Sequence, residues 1–312
     1  MLWLVMLLGA ATGLLGTRRQ RRVAARMGER VFPSRLAVHG ARSRFPAAGG
    51  AEVTFRVTDD PDAVVRLRVD RAEPEEGELR NAVADALERA QAWRSLDAAF
   101  REGGYEVYAL GNVVAEPWIA ADPRNGTVDD LLTRIAACLT RWSCATPTTV
   151  LIAHPDLAAG LKDRDPSAPT LLRVTARRRL AALSGQRPYY RAWFEWHDGV
   201  PVPGSGHLDL VRPFDDGQRF AAAVEASAAA WLAEAVPEAT VCSATGVWRL
   251  LPNRVDRVTG FVLYRDEPEP GPVYLGKHAL RVTTDLDGAL VGDPTVLPNV
   301  REGRGRLHLP TL

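Results

Sequence analysis

MLWLVMLLGAATGLLGTRRQRRVAARMGER, residues 1–30, is the stretch from which the rest of the chain is read. Met1 to Gly16 carry no charge and run straight into Thr17-Arg18-Arg19-Gln20-Arg21-Arg22, with Arg26 and Arg30 beyond. Apolar first and basic second, the order predicts a single membrane-anchor helix over 1–17 with a basic collar behind it. The helix is short. At about 1.5 Å per residue its apolar part reaches roughly 24 Å, against a hydrocarbon core of about 30 Å. Thr17 and a snorkelling Arg18 lengthen the usable span, and a bilayer thins around a short helix. A cleaved secretory signal carries its positive charge ahead of the apolar run. Here the charge follows, which places the body after residue 17 on the cytoplasmic side of the cell membrane. The competing readings are a start assigned too early and a buried amphipathic helix. Arg18, Arg19, Arg21 and Arg22 suit anionic lipid headgroups. Gly9 and Gly13, in Gly-x-x-x-Gly spacing, would let two such helices approach closely, giving a homodimer through the anchor.

Composition bounds what the body can be. The chain has 312 residues, 46% hydrophobic and 25% charged, enough to bury a substantial core and unlike a disordered protein. A net charge of +1 gives no general attraction to nucleic acid, which is not expected as a partner. Lys162 and Lys277 are the only lysines among many arginines, and alanine is abundant, as in a GC-rich bacterial coding sequence. Cys138, Cys144 and Cys242 are an odd number without a Cys-x-x-Cys pair, which argues against a disulfide framework or zinc knuckle.

Residues 18–50 read as a basic juxtamembrane segment and linker, broken by Phe32-Pro33-Ser34 and punctuated by Pro46 and Gly49-Gly50. Residues 51–57 alternate as a strand with Val53, Phe55 and Val57 on one face. Asp59-Asp60-Pro61-Asp62 turns the chain into a second alternating strand. Leu79, Val83, Ala86, Leu87, Ala90, Trp93, Leu96 and Phe100 then recur at three and four, the stripe of a long helix that Gly103-Gly104 stops. Thr127 with Asp130 resembles a capping box ahead of a helix carrying Leu131, Leu132, Ile135, Leu139 and Trp142. The continuous apolar run at 148–153 fits the middle of a sheet. Arg173 and Arg177-Arg178-Arg179 read as a solvated face.

The order hairpin, long helix with a Trp, strand occurs over 51–110 and again over 189–250. The fold class that follows is α+β: after the anchor, mixed or antiparallel sheets with helices packed on one face, as two similar ββαβ halves at 51–185 and 186–293. Residues 294–312 read as an irregular tail.

No nucleophile elbow, phosphate-binding loop or dinucleotide turn is present. The best constellation lies on the second hairpin. Alternation puts Tyr189, Arg191, Trp193, Glu195 and His197 on one face, and His207 and Asp209 on one face of the returning strand. A turn spanning 198–206 would set His197 beside His207 and Glu195 beside Asp209. Those four groups are candidates for a divalent metal, or for a base with an orienting carboxylate, as in a metal-dependent hydrolase. The bland reading is a solvated sheet face. His154, at the end of an apolar strand, is a further catalytic candidate, since α/β sites gather there. Trp193 and Tyr189, with Arg191, are the residue types of protein interfaces. Without a specific catalytic motif, the expected role is protein binding, as a membrane-anchored regulator, inhibitor or assembly component. No cofactor is expected on that reading, and a divalent metal ion on the hydrolase alternative.

Overall fold

The computed structural model describes residues 2–44, 50–70, 74–111, 116–142, 147–266, 276–301 and 305–312, with backbone alone for 2–16. Helix α1 (Leu2–Val31) is unbroken. Ala24 and Met27 on its second half are fully buried, Val23 and Val31 pack beside them, and Arg18, Arg19, Arg21 and Arg22 lie exposed on the opposite face. A Cβ at Gly28 would meet the Phe55 ring at 3.4 Å, so the helix lies on the sheet beneath at ordinary packing distance. Among the described residues no helix is long and apolar enough to cross a membrane. The anchor expectation, Gly9 and Gly13 included, rests on side chains at 1–16 that lie outside the described residues.

The sheet under α1 is an antiparallel meander of β1 (Leu36–Ser43), β2 (Ala51–Val57) and β3 (Asp60–Val69). Val53, Phe55 and Val57 do share a buried face, facing α1 and the first half of α2 (Glu76–Glu102). Strand β1 corrects the linker expected there. Its pairing with β2 slips between Val38 and Gly40, and that irregularity breaks the alternation by which a strand is recognised.

The second half of α2 leads into a five-stranded sheet. Its elements run β4 (Val107–Leu110), β5 (Pro117–Ala120), α3 (Val128–Trp142), β6 (Val150–Ala153), α4 (Pro155–Ala159), α5 (Thr170–Val174), α6 (Arg177–Gly185), β7 (Tyr189–Trp193), the short β8 (Trp196–His197) and β9 (Val200–Pro201), and β10 (His207–Val211). The strand order is β10-β7-β6-β5-β4, with β5 and β6 parallel across α3 and the other pairs antiparallel. Helices on one face is corrected here. Phe100, Ile135 and Leu139 of α2 and α3 cover one side, whereas Leu180 and Leu183 of α6 pack with Trp118 and Leu151 on the other. Strands β5 and β6, apolar throughout, need both coats. The boundary drawn at 185/186 therefore falls inside one sheet.

Helix α7 (Phe214–Ala235) and β11 (Thr240–Leu250), β12 (Arg257–Arg265), β13 (His278–Asp285) and β14 (Thr295–Leu297) complete the chain as an antiparallel sheet in sequence order. Phe220, Val224, Ala228 and Leu232 cover one face. On the other, Leu263 and Ala279 pack with Val300, Leu307 and Leu309, so the segment expected as an irregular tail contributes β14 and a small core. The whole is a mixed α+β architecture of several sheets and helices.

Candidate functional site

The hairpin carrying the predicted constellation forms, in a different register. Asp209 pairs with Arg191 and His207 with Trp193, four residues away from the expected partners. The cause is local. Strand β7 ends at Trp193, and Trp196-His197 turn back on Val200-Pro201 as a separate two-stranded hairpin through Asp198 and Gly199. Both turn residues have positive φ, 48° and 77°, the combination a two-residue type I′ turn requires. Glu195 and His197 are thereby carried away from Asp209 and His207. The Glu195 N–H donates to the Ser205 hydroxyl at 3.0 Å, and the exposed His197 stands 3.2 Å from Asp198. Among the described residues no group of three or more His, Cys, Asp or Glu is placed to hold a metal ion.

A different cluster occupies the place. The Asp209 side chain is 9% exposed and sits between two guanidiniums, Arg191 at 3.2 Å and Arg249 at 2.5 Å. Arg191 is its cross-strand neighbour, while Arg249 comes from β11 of the next sheet. An ionised carboxylate this buried requires such partners, and two of them leave a net positive charge. Trp193 stacks on His207 at 4.5 Å between ring centroids, and the Arg249 guanidinium stands 5.9 Å from the Trp193 centroid. The result is a half-exposed aromatic and cationic surface where the two sheets meet. Tyr189 is not part of it, since at the other end of β7 its ring packs against Trp118, 4.7 Å between centroids. Arg249 is the member that sequence reading missed, because nothing near it in the chain points to Asp209.

His154 caps α4, its Nδ1 accepting the Asp156 N–H at 3.3 Å with the Asp156 carboxylate 3.4 Å away. Its ring is thus engaged in local capping. Cys138 is fully buried, and burial pushes its thiol pKa up, away from a reactive thiolate; Cys144 lies outside the described residues.

A second clamp forms where the charge pattern predicts a solvated face. Arg177 and Arg178 are exposed, but Arg173 and Arg179 turn inward onto Asp163, Arg173 at 2.7 Å. Arg179 also donates to the Tyr108 carbonyl at 3.0 Å and ties α6 to β4. Burial works to raise the Asp163 pKa. Hydrogen bonding from Arg173 and the charge of Arg179 outweigh it and hold the carboxyl below its ordinary value. The Arg173 and Arg179 side chains are only 29% and 12% exposed, less than those around Asp209, so the cluster is a brace rather than a receptor. No protein-family model, curated protein or solved structure matches this chain.

Proposed function

We propose that this chain is a membrane-anchored protein whose body, held at the cytoplasmic surface, acts by binding another protein as a regulator, inhibitor or assembly component. The observation that carries the reading is the continuity of α1. One helix runs from Leu2 to Val31, with Ala24 and Met27 fixed in the body's core and Arg18, Arg19, Arg21 and Arg22 on its free face. A hydrophobic leading segment on that helix would hold the body at a set attitude to the bilayer, with the arginines at headgroup level. For the partner, the surface of matching chemistry is Trp193 with His207, Arg191 and Arg249, since half-exposed tryptophan and arginine dominate interface energetics.

The test has two arms on the full-length chain. Membrane fractionation should leave the protein in the pellet after alkaline carbonate, and crosslinking from those membranes should return one dominant partner that Trp193→Ala loses. A wild-type protein recovered wholly in the soluble fraction would end the anchoring claim. A crosslinking pattern unchanged by Trp193→Ala would end the assignment of the binding face.

A further inference from the structure

A cleft of about 230 Å³ lies between β3, the middle of α2, the end of α3 and α5, away from the surface just described. Trp93, Leu96, Leu110, Trp142 and Leu171 line it, together with the exposed Arg66 of β3 and Arg89 of α2. Among the described residues no acidic side chain lines it.

The two arginines are unlike their neighbours. On α2, Arg94 faces Asp60 at 3.0 Å, Arg101 faces Asp97 at 2.5 Å and Arg80 faces Glu76 at 4.0 Å, while Arg68 on β3 faces Asp70 at 2.8 Å. Among the described residues Arg66 and Arg89 have no carboxylate partner, although both are exposed and share the lining of the cleft with apolar side chains. Cations without carboxylate partners in the lining of a largely apolar hollow are complementary to one class of ligand. It carries a negative head and an uncharged body.

We infer that this cleft binds a small organic carboxylate with a ring-sized apolar body, its carboxylate held between Arg66 and Arg89 and its ring against Trp93 and Trp142. The volume suits such a body, because an apolar cavity of about 150 Å³ already accepts benzene. Two indole walls favour a planar ring through offset or edge-to-face contact, and guanidinium forks match a carboxylate's two oxygens.

Calorimetric titration of the purified full-length chain with hydrocinnamate tests this. One site per chain is expected, with acetate and the neutral hydrocinnamyl alcohol each binding at least about tenfold more weakly. Arg66→Gln and Arg89→Gln change exposed side chains and should each weaken the acid about tenfold while leaving the alcohol unchanged. Ala92→Phe, on an exposed position of the lining, should block both. Absence of heat up to about 10 mM acid, equal affinity for acid and alcohol, or an acid affinity that survives both Gln substitutions would overturn the assignment.

Discussion

Helices α2 and α7 each follow a hairpin and lead into a strand, yet they are held differently. Along α2 the buried side changes partners halfway: Leu79, Val83, Ala86 and Ala90 face α1 and the first sheet, and Trp93, Leu96, Ala99 and Phe100 face α3 and the five-stranded sheet. Helix α7 spends all of Phe220, Val224, Ala228 and Leu232 on the one sheet that follows it. The first helix therefore joins two cores, whereas the second belongs to one. The four-stranded sheet is tied to the rest chiefly by side chains: Asp209 to Arg249, Arg212 to the Leu286 carbonyl at 2.8 Å, and the Asn253 carboxamide accepting the Val128 N–H at 3.0 Å.

The largest effect expected from this contrast comes from Phe100→Ala. Phe100 is fully buried, and deleting a buried aromatic costs about 3–5 kcal/mol. Since α2 spans two cores, hydrogen exchange should accelerate both in 51–69 and in the strands of the five-stranded sheet. Leu232→Ala, at a residue 1% exposed, should cost about 2–5 kcal/mol. Its loss of protection should stay within 214–301. Equal loosening of the five-stranded sheet by Leu232→Ala would show that the cores unfold as one and that the distinction between the helices has no thermodynamic content.

How far this could be read in advance depended on the range of the forces involved. The stripe Leu131, Leu132, Ile135, Leu139 and Trp142 is buried as its periodicity predicts, because burial of one helix face is written within a few turns. The cap of that helix was not legible. Thr127 bonds back to the Arg124 carbonyl at 3.0 Å, and the Val128 N–H finds Asn253, 125 residues away. The register of the second hairpin is legible in Asp198-Gly199, a strong two-residue turn signal that fixes His197 opposite Val200, where strand alternation alone sets it beside His207. Both arginine clamps pair residues on different elements, 10 to 40 positions apart, so the charge pattern along any one element suggests a solvated face.

An intermediate effect should come from the Asp209 clamp, the most direct link between the two regions. Asp209→Ala leaves Arg191 and Arg249 facing each other without their shared carboxylate. Breaking a buried pair costs about 3–5 kcal/mol, but both arginine side chains are more than two-fifths exposed, so solvent screening reduces this to about 1–2 kcal/mol. Chemical denaturation of Arg191→Ala, Arg249→Ala and the pair measures the split. Arg249→Ala should produce early exposure of 240–301, and Arg191→Ala should not, since Arg191 lies in the same sheet as Asp209. Identical exchange patterns for the two variants would place the link between regions elsewhere.

The smallest effect belongs to the Asp163 clamp, which lies wholly within the five-stranded region and supplies the contrasting case. Arg173 and Arg179 together hold its carboxyl below the ordinary aspartate value of about 3.9, against the opposing pull of burial. A depressed carboxylate contributes stability that is fully present above the unfolded value and is lost as pH falls through the folded one. The wild type should therefore lose this contribution only below about pH 4, while Asp163→Asn should be less stable at neutral pH and show a flatter acid limb. The comparison is read by thermal melts from pH 7 down to about pH 2 together with exchange at the loop after α4. Because Arg179 also holds the Tyr108 carbonyl, the loosening in Asp163→Asn should reach β4 and leave β11 to β14 protected. An acid limb with the same slope in both proteins would mean that Asp163 titrates as it does in the unfolded chain, and that the clamp braces α6 by geometry alone.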